Sequence, residues 1–599
     1  MAGFSVSKIR WQVGASKFPF LRGIGQNPLR LIAIGAAVVG VGLRIRMYLE
    51  NRSLWLDPAM LALNVVNKDA SELLGRLDMN QAAPPGFLLA AKAVGSLFGY
   101  SEYSLYVLPC LFGIAAFLLF IRLSIAVLGP LGAPLAFVPM ATCSTAIFYC
   151  GEFRPQSADL FLTVLVLTVA HAVLTNEWKM PSIAAFVTVG IVAVWFSYAV
   201  VFVVAGTGFG LMLVALISGK PRSFRRITVA VAIVMLHFLL LYLLHIRPSI
   251  GSDLYAANSA AFAPVVPTAK SQLWWWILAV TGYFHYPLGF RGFIFVPLVG
   301  LLTGVVASLS SRKSAPIAAV VGMPMVALFV ASGLGMYPIT TGIHEVRARF
   351  VLFTVPITLL FVARGTSWLC RLAGKKTIFS SLIVAFLVLP SLVGGLAGPR
   401  FRGQEMRPLT RHLLDNLQPG DTVYVFSGAV PAFRYYTRNE SIEAVYGRRP
   451  RPGSLDLADD LRRAGDSGRL WVVVSHAYSG ERRIIRKALS GMGRLEGVHR
   501  FPGAVLFDCQ LGDRASRRRE ERAGVGVLGT SAESMAEEAE SKAETADQQI
   551  GPVHRDGPEG EEGAAPAQEK SQKPGVQEPN KNQGGDADAP QLRPQPGSR

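Results

Sequence analysis

Runs of about twenty apolar residues recur through the first two-thirds of this chain, and about twenty is the length at which an α-helix crosses a bilayer core. Inside lipid every backbone N–H and C=O must be satisfied within the protein, which leaves helices or closed barrels. Barrel strands alternate in polarity over about ten residues, and these runs do not alternate. Composition agrees: 51% of the 599 residues are hydrophobic and 17% are charged, with mean hydropathy +0.37. A soluble domain carries about 25% charged residues, so an ordinary soluble enzyme is excluded. The 59 Lys and Arg outnumber the 40 Asp and Glu, but the cations mostly flank apolar runs, where they orient helices. No nucleic-acid partner is expected. The five cysteines form neither a disulfide framework nor a zinc motif.

Three regions differ in character. Residues 1–398 are membrane-like. Residues 400–512 read as a small α/β domain, strand-like at 421–426 and 470–475 and helix-like at 407–417 and 481–490. Residues 513–599 are rich in Glu, Ala, Gly, Pro and Gln and poor in aromatics, which predicts a disordered tail. Lys8, Arg10, Lys17, Arg22 and Arg30 precede the first span without an acidic residue among them, so the N-terminus is expected to be cytoplasmic. The basic stretches at 220–226, 312–313 and 371–376 should share that side. This parity decides Pro85–Gly99, about 15 residues with Lys92 inside: it lies in the interface rather than spanning. Eleven spans result, near 29–47, 104–128, 134–150, 157–175, 181–196, 198–218, 225–246, 292–309, 315–334, 350–370 and 377–397. The C-terminal domain is then external, and 48–103 is a large external loop. The expected fold is an all-α polytopic membrane bundle with a small external α/β domain.

That loop holds Asp57, directly after the Trp55-Leu56 pair and before Pro58. One reading makes Asp57 a helix N-cap, since Pro58 suits a first helical position. The other makes it a reactive carboxylate at the membrane surface. Trp274–Trp276 and the cluster Tyr283, His285, Tyr286 fall in an external loop at 247–291. Aromatic belts account for such residues, and stacking on a sugar or lipid is the alternative. His285 and the pair His344-Glu345 lack metal-ligand spacing, so neither a metal nor another cofactor is expected. Ser475-His476 are adjacent in sequence, which alone establishes no nucleophile–base geometry.

Several motifs occur in order: Trp-Leu-Asp57 in the first loop, Asn80-Gln81-Ala-Ala-Pro-Pro-Gly86, Phe98-Gly-Tyr-Ser-Glu102, Tyr149-Cys-Gly-Glu152-Phe-Arg154-Pro with Asp159 following, and Arg347-Ala-Arg349 before a late span. Together they resemble the GT-C glycosyltransferases, above all glycosyltransferase family 39, which contains protein O-mannosyltransferases and lipid A aminoarabinose transferases. The resemblance covers about residues 40–400. It implies a polyprenyl-phosphate-linked sugar as donor, an external active site, an inverting transfer and Asp57 as the catalytic carboxylate. Many members carry a second acid at the next position, where this chain has Pro58. The acceptor is left open among lipid, glycan and protein. A base must take the acceptor's proton, and cations should stabilise the departing phosphate. Arg44, Arg46, Arg154 and Arg349 are the candidates, Arg44 and Arg46 equally readable as snorkelling to headgroups. Asn80, Gln81, Glu152 and Asp159 are candidate substrate contacts, and Trp55 a candidate sugar or lipid contact. The expected setting is a bacterial plasma membrane. A lipid-linked-saccharide flippase and a catalytically decayed scaffold are the alternative functions; charges gathered in external loops, rather than deep in the bundle, favour an enzyme over transport.

The topology has a direct test. Single cysteines introduced near Asp57 and Gly420 should react with a membrane-impermeant maleimide from outside, and those near Arg222 and Lys375 only after permeabilisation. External labelling at 219–226 would overturn the span parity.

Overall fold

The computed structural model describes residues 28–249, 262–264, 270–290, 293–339, 345–374, 377–397, 403–448, 456–465, 468–477 and 479–512. The expected tail at 513–599 and His344 lie outside them. The first half builds α1 (Pro28–Leu49), α2 (Leu56–Asn67), α3 (Pro85–Phe98), α4 (Glu102–Ala141), α5 (Ser144–Phe148) and α6 (Gln156–Thr175). Helices Met180–Phe196, Val200–Ile217, Pro221–Leu241, Lys270–His285, Phe295–Leu309, Ala315–Gly333, Val355–Leu372 and Thr377–Ala397 follow. Seven helices among the described residues are long and apolar enough to cross a membrane; four shorter apolar ones accompany them, at Pro85–Phe98, Met180–Phe196, Phe295–Leu309 and Ser380–Leu396.

Two expectations are corrected. The spans placed at 104–128 and 134–150 are limbs of one 40-residue element, α4, broken at Gly129 (φ 72°) ahead of Pro130. Its second limb stops at Ala141, well short of 150, and the chain turns through α5 and a 3₁₀ turn at Tyr149–Gly151. The early stop brings Glu152 and Arg154 back against the first loop. The 247–291 segment is also not a plain loop, because Lys270–His285 is helical.

Small residues set the closest helix crossings, as expected where lipid offers no hydrophobic drive for association and close packing must supply it. Gly300 and Gly304, four apart on Phe295–Leu309, meet Gly365 of Val355–Leu372 so closely that a Cβ on Gly304 or Gly365 would run into the opposing backbone. Gly206 and Gly210 abut the backbone at Met323–Pro324 and Ala319–Val320 in the same way.

The layer formed by α2, α3 and the C-terminal region follows different rules. α3 begins at Pro85 and ends at Gly99, which takes φ 78°. Lys92 on α3 donates to the carbonyls of Val65 and Val66 at 2.9 and 3.2 Å, satisfying the C-terminal end of α2. The C-terminal region forms a five-stranded sheet of order β2-β1-β3-β5-β4, with β1 Thr422–Val425, β2 Ala444–Tyr446, β3 Gly468–Ser475, β4 Gly493–Phe501 and β5 Ala504–Leu511. β1 pairs in parallel with both β2 and β3, while β5 is antiparallel to β3 and β4. Alternation along the strands divides its faces. Val423, Val425, Trp471, Val473 and Leu506 join one buried cluster with Leu61, Leu63, Phe87 and Tyr106 of the first-loop layer. Tyr424, Val472, Val474 and Phe507 pack on the other side with Leu461, Ile485 and Leu489. The sheet is thus fused to the 54–106 layer through a shared apolar core.

If these crossings carry the bundle, Gly304→Leu should lower the thermal midpoint of the detergent-solubilised protein by about 5 °C or more. Gly35→Leu, where an added Cβ meets nothing within 4 Å, should leave it nearly unchanged. Equal midpoints for the two variants would contradict the close-packing account.

Candidate active site

Asp57 sits in the first turn of α2, but the residue at the N-cap position is Trp55, and no side chain caps this helix. The capping reading of Asp57 is therefore wrong. Its carboxylate instead reaches two guanidinium groups through a single oxygen: Oδ2 lies 2.9 Å from Nη2 of Arg154 and 2.8 Å from Nη1 of Arg349. Arg154 stands in the turn before α6, and Arg349 on a 3₁₀ stretch, Glu345–Thr354, that leads into Val355–Leu372. Three segments far apart in sequence converge on one carboxylate. Arg154 Nη1 also donates to Gln81 Oε1 at 3.2 Å, so the Asn80-Gln81 motif holds the arginine of the Tyr149–Arg154 motif.

A parallel pair lies beside it. Glu152 is buried and accepts from Arg52 Nη2 at 2.8 Å and from the Trp55 indole at 3.0 Å. Arg52 also rests over the Phe148 ring, 4.6 Å from its centroid. Residues 51–54 are strapped from the other side. Ser53 Oγ donates to Glu405 at 2.7 Å, Arg407 donates to the Asn51 carbonyl at 2.8 Å, and the Leu54 amide donates to the Tyr436 hydroxyl at 2.7 Å. Together these contacts hold the start of α2, and so the direction of Asp57.

The C-terminal sheet contributes one more side chain. Where crossovers from a central parallel strand leave in opposite directions, a crevice opens at the carboxyl ends of the strands. The order β2-β1-β3 puts that point between β1 and β3, and His476 directly follows β3. It adopts φ 54°, an uncommon region for a non-glycine residue. Its ring stacks on Trp55 (centroids 6.3 Å apart, planes 23°), and it lies near enough to Asp57 to favour the ionised carboxylate. Gln404 bridges behind it, 2.8 Å from His476 Nδ1 and accepting from Ser475 Oγ at 2.8 Å. A Cβ at Gly428 would collide with Ser475 and His476, so glycine there lets the β1 and β3 loops close together.

The other sequence candidates separate from this cluster. Arg44 is fully buried rather than snorkelling; it donates to the carbonyls of Gly40, Met140 and Ala141 at 2.8–3.2 Å and lies over Phe117. It closes the C-terminal end of α4. Arg46 is exposed and pairs with Glu50 at 3.5 Å. Asp159 is buried in the first turn of α6, faced by the Ser197 hydroxyl. Tyr283 bonds the hydroxyls of Thr354 and Thr358 at 2.8 and 2.6 Å, tying the Lys270–His285 helix to the stretch that carries Arg349. The His285 and Tyr286 rings meet edge to face, 4.7 Å between centroids, and the Tyr286 carbonyl accepts from Thr145. Asn80 takes φ 52° in the turn before α3. Among the described residues no group of three His, Cys, Asp or Glu side chains gathers to hold a metal. Arg52, Gln404 and His476 were not singled out as site residues in the sequence. The usable signal for His476 was its place at the end of the strand-like run 470–475.

Electrostatics separates the two carboxylates. Burial pushes both upward. At Asp57, Arg154 and then Arg349 outweigh it and hold the group well below the usual carboxylate range. At Glu152 burial prevails over Arg52 and the indole, and the group is raised.

No family model matches this chain, and no curated protein matches it in sequence. Among solved structures it is similar to the Archaeoglobus fulgidus oligosaccharyltransferase complexed with zinc and sulfate, at 14% identity over 74% of this chain and 67% of that one, TM-score 0.47. It is also similar to ArnT from Cupriavidus metallidurans bound to undecaprenyl phosphate, at 12% identity over 80% and 97%, TM-score 0.48. A third is the oligosaccharyltransferase AglB from Archaeoglobus fulgidus with an inhibitory peptide and a dolichol-phosphate, at 13% identity over 80% and 74%, TM-score 0.48.

The depressed Asp57 fixes the sign of a pH experiment. A carboxyl whose folded pKa lies below its unfolded value adds stability above the unfolded value, near 3.9, and loses it as pH falls through the folded one. Difference infrared titration against Asp57→Asn should find Asp57 ionised throughout pH 4–8. In the Arg154→Gln/Arg349→Gln double variant burial acts without those cations, and the protonated band should appear within that window. No shift between the two proteins would show that the arginines do not govern this carboxylate.

Proposed function

We propose that the chain is a membrane glycosyltransferase that moves a sugar from a polyprenyl-phosphate donor to an acceptor at the external membrane face, with Asp57 as the base. The observation that carries this reading is the pairing of Asp57 with Arg154 and Arg349. Two guanidinium groups around one carboxylate leave a surplus positive charge, and planar forked donors suit a phosphate.

The chemistry follows from that surplus. In an inverting transfer an acceptor O–H or N–H attacks the anomeric carbon as the bond to the phosphate oxygen breaks. The proton passes to Asp57, and the bond's electron pair leaves on the lipid phosphate. Base and cations must then flank the anomeric carbon from opposite sides. Entry of the donor has to part the ion pairs, the phosphate taking the arginines from Asp57. A carboxylate locked between two cations is a weak base, so release into a site closed to water raises its basicity just where the acceptor arrives. The ion pair thus restrains the base until the donor is bound. Glu152, already paired with Arg52 and bonded by the Trp55 indole, is left as a support for the loop.

In this reading residues 400–512 are an external accessory domain whose His476, stacked on Trp55 of the first loop, lines the acceptor side of the site, and the N-terminus is cytoplasmic. Lipid, glycan and protein acceptors all present groups that Asp57 can deprotonate.

The test is sugar transfer by purified protein from radiolabelled polyprenyl-phosphate sugars to extracted membrane lipids, glycans or peptides. Positioned acid–base groups contribute about 10²–10⁴-fold, and Asp57→Asn should lose that much turnover while folding normally. Asp78→Asn, whose carboxylate is mostly exposed and pairs with Lys68, should stay near wild type. Near-wild-type turnover by Asp57→Asn would remove this residue from the mechanism.

A further inference from the structure

A large cavity lies far from Asp57. It holds about 830 Å³ between the bend of α4 and the helices Val355–Leu372 and Thr377–Ala397. Its walls are chiefly apolar, including Leu128, Leu135 and Val388, but one end carries Arg364, Arg371, Ser367, Ser380 and Ser381. Arg349 and Thr354 mark the Asp57 end of Val355–Leu372. At 1.5 Å per residue Arg364 lies about 14 Å and Arg371 about 24 Å farther along that helix, at the other end of the bundle.

The polar end is built for an anion. Arg364, Ser367 and Arg371 follow a three-then-four spacing, so they share one helix face. Among the described residues no carboxylate lines the cavity. Arg371 is close enough to repel the Arg364 guanidinium. One Nη of Arg364 donates to Ser314 Oγ at 3.2 Å, while its Nε is buried with no hydrogen-bond partner. A buried guanidinium nitrogen left without an acceptor is costly, and two like charges facing a cavity without a counter-ion add to the cost. A phosphodiester would relieve both. The bond to Ser314 also sets the level of this end: Ser314 closes the turn bearing exposed Arg312 and Lys313, and Lys375 and Lys376 follow Arg371 in sequence. Basic pockets between membrane helices, flanked by such clusters, suit anionic headgroups.

We infer that this cavity is a binding site for an anionic phospholipid of the leaflet opposite the Asp57 site: Arg364 and Arg371 hold the phosphodiester, the serines bond the headgroup, and the acyl chains lie along the apolar walls. The site is independent of the proposed sugar transfer and stands or falls separately from it.

Native mass spectrometry of the full chain, equilibrated in detergent with equal amounts of phosphatidylglycerol and phosphatidylcholine, provides the test. The wild type should retain phosphatidylglycerol in several-fold preference. Arg364→Gln/Arg371→Gln should bring that preference down to near one, while Arg222→Gln, on a basic segment outside the cavity, should leave it several-fold. Ala385→Trp, which fills the cavity and leaves both arginines in place, should displace the lipid and serves where the double variant fails to fold. Equal retention of the two lipids by the wild type would overturn the inference. So would a preference that survives both the Arg pair substitution and Ala385→Trp.

Discussion

A single carboxylate oxygen shared by two arginines ties together three distant segments of this protein. Asp57, Arg154 and Arg349 come from α2, from the turn before α6 and from the stretch leading into Val355–Leu372. Burial raises such a carboxyl, and the arginines outweigh it and keep it ionised. The cluster thereby ties three segments together at a partly sheltered site. Its imbalance matters as much as its strength. Two cations for one anion make a site that stands ready for a second anion, and under the proposed function that anion is a lipid phosphate.

The architecture serves that cluster from both sides. From within, glycine crossings let the Phe295–Leu309 and Val355–Leu372 helices approach closely, which steadies the helix that Arg349 precedes. From outside, the C-terminal sheet shares a buried cluster with α2 and α3 and clamps residues 51–54 through Glu405, Arg407 and Tyr436. The sheet therefore does more than cover the site. Its strand order opens a crevice at the ends of β1 and β3, and His476 reaches from there onto Trp55.

Legibility in the sequence followed physical range. Helices were readable because hydropathy is summed over many residues, and the strand-like runs at 421–426 and 470–475 because alternation is local. The break of α4 was only half readable: Gly129-Pro130 announces a bend, but nothing local says that the second limb ends at Ala141. Asp57, Arg154, Arg349 and Gln81 were each singled out from motifs, yet their contact spans nearly three hundred residues and no local pattern encodes it. Arg44 and Arg46 were grouped because both close the first span. Residues two apart on a helix point away from each other, and in the fold one is buried under Phe117 while the other faces out to Glu50. His476 was dismissed beside Ser475 as a mere neighbour. What matters about it is the strand end it occupies and its positive φ, and neither was visible before the sheet was assembled.

The central claim is that a lipid phosphate competes with Asp57 for Arg154 and Arg349. Its most direct measurement is the equilibrium affinity of purified protein for polyprenyl phosphate, the product common to every such transfer, with and without the Asp57 charge. If the carboxylate and the phosphate compete, Asp57→Asn should bind polyprenyl phosphate about tenfold or more tightly than the wild type, with the gain lost when Arg349→Gln is added. Unchanged or weaker binding by Asp57→Asn would contradict the account.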